Sequence, residues 1–381
     1  MPLALLAALP LAIWLYLFFF RGQFWRMRDI GAQPSITPPS ARVAAVIPAR
    51  NEAPIVSQAI ASLAAQQYPG EFSIVLVDDH SSDGTAAQAR AAAPADRLAV
   101  VSAAPLPPGW TGKLWAVSEG IRVAEARQPD YFLLTDADIV HAPDNLRGLV
   151  ERAERDGYDL VSYMVKLACG TPAERLLIPA FVFFFFLLYP PAWIRDPRRF
   201  TAGAAGGCLL IRRTMLERIG GIAAIRDALI DDCALAAAVK RAGGRVWLGL
   251  TADTRSIREY ATFRQIGRMI SRSAFTQLRC SLWLLAATIA GLAVTYLAPP
   301  VLTVAGRWPG AAMGLAAWLL MSLSYLPVLR FYRRPWFEAP LLPLVALFYL
   351  AATIHSAIAW WRGKGGEWKG RSQAVRRGPG G

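Results

Sequence analysis

The placement of apolar residues constrains this chain more than any other feature. Leu3–Phe20 is one apolar run, and three more follow Cys280, at about 281–304, 310–329 and 338–361. Each of the later runs is long enough to cross a bilayer, which takes roughly 20 apolar residues. Residues 42–255 read instead as a soluble segment of alternating element types. The expected organisation is an N-terminal membrane anchor (1–21), a soluble α/β domain (42–255), a basic interfacial helix (256–280), a C-terminal transmembrane region (281–361) and a basic tail (362–381).

The first run has no basic segment before it and no small-residue cleavage site; Arg21, Arg26 and Arg28 come after it. That charge order predicts a retained anchor with residue 21 onward in the cytoplasm, in a multi-pass membrane protein. The formal net charge of +14 would suggest nucleic acid in a soluble protein. Here the charge gathers beside apolar runs: Arg255, Arg258, Arg264, Arg268, Arg272 and Arg279 before one, and Arg362, Lys364, Lys369, Arg371, Arg376 and Arg377 after the last. Such residues meet anionic headgroups. With no nucleic-acid-binding signature beside them, nucleic acid is excluded as a partner. Arg264, Arg268 and Arg272 recur every fourth residue, which predicts a basic helical stripe along the membrane surface.

The span count raises a conflict. An anchor plus three spans would carry the basic tail outside, against the positive-inside tendency. Either 338–361, which contains Pro340 and Pro343, does not fully cross, or the tail departs from the tendency. The run Phe181–Leu188, between Pro179 and Pro190, is too short to span alone. It reads equally as a buried core helix or as a helix lying in the interface.

Within 42–255, strand-like segments (Val43–Ile47, Ser73–Val77, Leu98–Ser102, Tyr131–Thr135, Asp159–Val165) alternate with helix-like ones (Ile55–Gln67, Thr85–Ala93, Lys113–Arg127, Asp144–Asp156). A short Pro-containing linker, 33–40, precedes them. This alternation predicts βαβ units on a mainly parallel sheet, with ligands beyond the carboxyl ends of the strands. Three of those ends are polar: Pro48-Ala49-Arg50-Asn51-Glu52, Asp78-Asp79-His80-Ser81-Ser82-Asp83-Gly84-Thr85 and Asp136-Ala137-Asp138. Two carboxylates past a buried strand are costly to desolvate without a cation. A hard divalent ion would compensate them and bridge a diphosphate, although the pair also fits an acidic turn capping a helix. His80, His141 and His355 form no ligand cluster, and the four cysteines have no CxxC spacing, so zinc is not expected.

The ordered motifs IPARNE, VDDHSSDGT and DAD resemble those of family 2 glycosyltransferases with the GT-A fold. Gly109-Trp110-Thr111-Gly112-Lys113 is similar to the family's Gly-Lys loop, and Ala205-Gly206-Gly207 to its acceptor-side glycines. Asp231-Asp232 is similar to its acidic pair and Gln265-x-x-Arg268 to Q-x-x-R-W. The resemblance covers roughly 42–280. The anchor, the GWTGK loop and Trp368-Lys369-Gly370-Arg371 resemble the hopene-associated (HpnB-type) glycosyltransferases of bacterial hopanoid gene sets.

That resemblance implies a nucleotide-sugar donor, with a UDP-sugar expected, and a lipid acceptor, a hopanoid being the expected class. Pro48, Arg50, Glu52 and Asp79 would line the nucleobase and ribose pocket, with Asp79 facing a uracil. Asp136 and Asp138 would hold Mn2+ or Mg2+ and the diphosphate, and Lys113 would neutralise phosphate charge. Asp232 would be the general base and Asp231 its orienting partner. Gly207, Gln265 and Arg268 would gate the acceptor or diphosphate. Two departures stand out: Asp231 where the family more often has Glu, and Met269 where it has Trp. Loss of the Trp points toward transfer of a single sugar and away from polymer synthesis. A carotenoid or ceramide glucosyltransferase, a polysaccharide synthase and an inactive membrane scaffold remain as alternatives.

Overall fold

The computed structural model describes residues 2–27, 40–363, 365–368 and 371–372. The expected linker up to residue 39 and most of the basic tail, including Lys369, Arg376 and Arg377, lie outside them. The chain divides into two compact units. One comprises Met1–Arg28, Cys169–Ala192 and Glu259–Gly366; the other comprises Asp29–Ala168, Trp193–Arg258 and Glu367–Gly381.

The second unit is built on an eight-stranded mixed sheet. In chain order the strands are β1 (Val43–Ala49), β2 (Phe72–Asp78), β3 (Leu98–Ser102), β4 (Tyr131–Leu134), β5 (Ile139–His141), β6 (Leu160–Lys166), β7 (Leu209–Arg212) and β8 (Val246–Ser256). Their spatial order is β3-β2-β1-β4-β7-β6-β8-β5. The pairs β1–β2, β2–β3, β1–β4 and β6–β8 are parallel, while β7 and β5 pair antiparallel with their neighbours. β1 is buried along its whole length, as a strand covered on both faces must be, and its continuous apolar sequence follows from that.

The sequence reading located β1–β4 and β6 within a residue or two but not β5, β7 or β8. Strand–helix alternation predicts only parallel strands with helical crossovers. β7 is a four-residue strand between a glycine pair and a helix, and β5 is a three-residue return immediately after the acidic motif. Neither is long enough to show a period.

Gly120 controls how the sheet meets its main covering helix, Gly112–Ala124. A Cβ there would lie 2.4 Å from Val46 Cγ1 and 2.9 Å from Val77 Cγ2, so the helix backbone can rest on β1 and β2 only because the side chain is missing. Close seating of this helix fixes its first turn, and with it Lys113.

The first unit is helical. Pro2–Phe19 forms an apolar helix whose Trp14, fully buried, donates its indole N–H to the carbonyl of Thr295 at 2.7 Å. Thr295 lies in a π-helical turn, Ala293–Leu297, where the usual hydrogen-bond ladder is interrupted and a carbonyl is available. Among the described residues four helical stretches are long and apolar enough to cross a membrane: Pro172–Arg195, Leu282–Ala305, Gly310–Phe331 and Trp336–Trp361. Their outward faces carry exposed Trp283, Val304, Leu319 and Leu344, the pattern expected against lipid.

The stretch Pro172–Arg195 extends the short run Phe181–Leu188, and half of its apolar window is buried, in keeping with a core helix. Pro179 does not bound a helix; it lies inside Pro172–Leu188, a helix that begins with Pro172 in its first turn under a capping box between Thr171 and Glu174. The apolar run is therefore part of a span-length element.

Candidate active site

The carboxyl ends of β1 and β4, the N-terminus of helix Gly112–Ala124 and the N-terminus of helix Asp231–Arg241 converge in the second unit. They line a pocket of about 390 Å3, counted with its open mouth. Lys113, Thr135, Asp136, Asp231 and Asp232 supply its polar lining, and Pro48, Leu134, Leu209, Ile222, Ile225 and Leu235 its apolar lining.

Lys113 is the hub of the polar wall. Thr111 caps the helix, its Oγ1 accepting from the N–H of Leu114, and Lys113 leaves the first turn toward the sheet. Its Nζ lies 2.9 Å from Asp136 Oδ1 and 2.9 Å from Asp231 Oδ2. Burial opposes the ammonium charge, but Asp136 and Asp231 outweigh it and hold Lys113 protonated well above the usual lysine range. The carboxyl of Asp136 is raised, chiefly by burial and despite Lys113.

Asp232 is held by two backbone donors: Gly206 N–H to Oδ2 at 2.8 Å and its own neighbour, Cys233 N–H, to Oδ1 at 2.7 Å. Both acidic residues occupy the first turn of helix Asp231–Arg241, where the helix dipole favours negative charge. Burial and the adjacent Asp231 carboxylate nonetheless push the Asp232 carboxyl up to about 6, into the range of a working general base. A Cβ at Gly206 would sit 3.3 Å from Asp232 Oδ2 and 3.6 Å from Lys113 Nζ. A side chain here would make the carboxylate give way by a few tenths of an ångström.

A second cluster adjoins it through the acidic motif. Arg258, just past β8, donates from Nε to Asp138 Oδ2 at 2.7 Å and from Nη2 to Glu52 Oε1 at 2.6 Å. β5–β8 register sets Ile139 opposite Ser256, and the Ile257 N–H donates to the Asp138 carbonyl, which delivers Arg258 to this spot. Arg258 had been read as one of the membrane-flanking charges. Only the long-range β5–β8 register distinguishes it from those neighbours.

Asp79 lies elsewhere. Its carboxylate is almost fully buried and meets Arg50, whose Nη1 donates to the Asp79 carbonyl at 2.6 Å and lies 3.3 Å from Oδ2. Arg50 and Asp79 are thereby brought together, and Pro48 joins the pocket wall. Gly207 contributes its carbonyl, which accepts from Thr135 Oγ1 at 2.8 Å. That hydroxyl also meets His141 Nε2 at 3.0 Å, while Asn145 donates to His141 Nδ1 at 2.9 Å. The chain Asn145–His141–Thr135–Gly207 ties the strand ahead of Asp136 to the glycine pair. Burial drives His141 down to about 3, so the ring is neutral.

Gln265 and Arg268 belong to the other unit, on helix Phe263–Ser271. Gln265 closes a capping box with Thr262, its Oε1 accepting from the Thr262 N–H at 3.1 Å. Arg264, Arg268 and Arg272 are exposed, whereas Ile266 and Ile270 are buried.

The donor chemistry fits a divalent cation shared with a diphosphate. Asp136 and Asp138 stand in two adjoining carboxylate clusters, one gathered on Lys113 with Asp231 and the other on Arg258 with Glu52. Among the described residues no group of three His, Cys, Asp or Glu side chains forms a complete protein cage. A hard cation using one or two carboxylates plus phosphate oxygens needs no such cage.

Residues 44–220 match the glycosyl transferase family 2 model. The chain carries a family 2 glycosyltransferase domain. The fold is GT-A, and it is similar to that of a mannosyltransferase from Pyrobaculum calidifontis solved with GDP-Man and Mn2+. That likeness has a TM-score of 0.53 at 19% identity, covering 92% of this chain and 98% of that one. Weaker likenesses, each with a TM-score of 0.42, are to glucosyl-3-phosphoglycerate synthase from Mycobacterium tuberculosis (18% identity; 67% of this chain, 87% of that one) and mannosyl-3-phosphoglycerate synthase from Rubrobacter xylanophilus (21%; 68% and 82%). No curated protein matches the chain.

Proposed function

We propose that this family 2 glycosyltransferase moves a single sugar from a nucleotide-sugar donor, a UDP-sugar first among the candidates, to a hydroxyl of a lipid, with inversion at the anomeric carbon. The observation that carries the reading is the convergence of Asp232, with its elevated pKa, and the Lys113–Asp136–Asp231 bridge on one pocket. Hopanoids are the lipid class that the HpnB-type resemblance favours. The span-length helices support a lipid acceptor, because they hold the enzyme where lipids are.

Asp232 accepts the proton of the acceptor hydroxyl as its oxygen attacks the anomeric carbon. The new C–O bond forms on the face opposite the breaking bond to the diphosphate, and the nucleoside diphosphate departs. Gly206 and Cys233 N–H groups hold both carboxylate oxygens, fixing the base in place. Asp136 and Asp138 are the residues that would hold Mn2+ or Mg2+, whose charge would offset that of the diphosphate. Lys113 adds positive charge beside the same leaving group. Pro48, Arg50, Glu52 and Asp79 are proposed to line the nucleoside pocket, and Gln265 and Arg268 to act on the acceptor side.

The test uses detergent-solubilised full-length protein offered a panel of UDP- and GDP-sugars, with and without a chelator. The expected result is chelator-sensitive release of nucleoside diphosphate from one donor. Absence of release with every donor would support the inactive-scaffold alternative. Comparing lipid extracts with and without the gene by mass spectrometry would then identify the sugar and acceptor.

A further inference from the structure

The segment 193–201 starts in the short helix Pro191–Arg195 and closes on itself in the catalytic unit. Lys240 bridges its two ends, donating from Nζ to the Trp193 carbonyl at 3.1 Å and the Thr201 carbonyl at 2.7 Å. Ile194 is buried beneath it. Arg199 stacks its guanidinium over the Trp193 ring at 4.6 Å. Asp196 is turned onto the loop itself, accepting from the Arg198 N–H at 3.0 Å and Nε at 3.2 Å. All of this order serves to present Phe200 completely exposed, beside exposed Arg195, Arg198 and Arg199.

A fully exposed phenylalanine on a pinned loop is a cost in water unless something receives it. Its neighbours name the receiver. Three arginines around one aromatic tip complement anionic headgroups over an apolar layer, the pairing that anchors proteins at membrane interfaces. The loop also follows directly in the chain on Pro172–Arg195, one of the span-length apolar stretches.

We propose that the loop 193–201 is a membrane-contact element of the catalytic unit: Phe200 enters the headgroup layer of an anionic bilayer while Arg195, Arg198 and Arg199 bind lipid phosphates. From Thr201 the chain runs through buried Ala204 and Ala205 to Gly206, whose N–H holds Asp232. The bilayer surface and the proposed base are thus joined by a few residues of chain. This inference rests on the chain being membrane-embedded, and it is independent of the sugar-transfer chemistry.

The test reads depth, not activity. Cys169 and Cys280 are changed to Ser, Phe200→Cys carries a nitroxide, and the full-length protein is reconstituted into phosphatidylcholine vesicles with or without phosphatidylglycerol. A label at Glu71→Cys, an exposed site on the same unit, is the aqueous control. The expected result is loss of most collisions with water-soluble nickel chelate and gain of collisions with oxygen at position 200, strongest with phosphatidylglycerol and unseen at position 71. Changing Arg195, Arg198 and Arg199 together to Gln in the labelled protein should remove the dependence on phosphatidylglycerol. Equal accessibility at positions 200 and 71, or shielding indifferent to both anionic lipid and the arginines, overturns the proposal. A protein receiver would leave the label water-exposed in this purified system, and so would also overturn it.

Discussion

Asp232 Oδ2 accepts the backbone N–H of Gly206 at 2.8 Å, and a methyl group on Gly206 would stand 3.3 Å from that same oxygen. The glycine serves the carboxylate twice, by donating to it and by leaving it room. If Asp232 is the base, replacing it with Asn removes the proton acceptor but keeps the shape. Transfer should fall at least about a hundredfold, while nucleoside diphosphate affinity, measured by titration calorimetry, stays within a few-fold of wild type. Near-normal turnover by Asp232→Asn would end the base assignment.

The two neighbouring glycines should respond differently to alanine. Gly206→Ala makes the Asp232 carboxylate shift by a few tenths of an ångström, so the loss should appear in kcat, about tenfold or more, with little change in melting temperature. Gly207→Ala instead places its methyl 3.2 Å from Ile139 Cδ1 and Val165 Cγ2, inside the core. Overpacking of this kind costs about 1–3 kcal/mol, so Gly207→Ala should melt earlier. If both variants lost only stability, Gly206 would have no special link to the base.

Burial and Asp231 raise the Asp232 carboxyl to about 6. A base must be ionised, so kcat/KM should be level above that pH and fall about tenfold per unit below it. An acid limb near 6 that is missing from the residual activity of Asp232→Asn would tie the titration to this residue. A profile that stays flat down to pH 4.5 would not be compatible with Asp232 as base.

His141 makes a separate prediction about stability. Its ring is buried and its pKa lies near 3, below the ordinary histidine value of about 6.5. The unfolded chain takes up a proton first as pH falls, so the contribution is intact above about 6.5 and is lost progressively toward 3. The loss approaches about 1.4 kcal/mol per pH unit within that window. Thermal melts of the solubilised protein between pH 7 and 4.5 should therefore slope more steeply for wild type than for His141→Gln. Parallel slopes would mean that His141 does not titrate with folding.

How much of this was legible in the sequence depends on the range of each interaction. Asp136, Asp138, Asp232 and Lys113 stand at the ends of elements whose patterns are local, and the motifs flagged them. The parallel strands β1–β4 could be read because each is a continuous apolar run beside a helix-like segment. Arg258 could not be read the same way: its partners Glu52 and Asp138 are over a hundred positions away, and only the antiparallel β5–β8 register brings them together. The same limit hid the Thr135–His141–Asn145 chain, since a lone histidine carries no pattern. Pro179 misled in the opposite direction, by marking a boundary where the helix Pro172–Leu188 continues.

Arg258 supplies the last prediction. Glu52 and Asp138 are both largely buried, and Arg258 is the cation paired with each. Arg258→Met keeps the volume but leaves two carboxylates without that charge. Removing one partner of a buried pair costs about 3–5 kcal/mol, and the partial exposure of Arg258 reduces the expected loss to about 2. Lysine has one ammonium and cannot bond to both carboxylates in the same geometry, so Arg258→Lys should recover only part of the stability. Adding Glu52→Gln to Arg258→Met removes one of the stranded charges and should restore part of what the single change lost. A double-mutant cycle on melting free energies would measure that coupling. Strictly additive losses would mean that Arg258 and Glu52 do not support one another, and that their close approach has no energetic consequence.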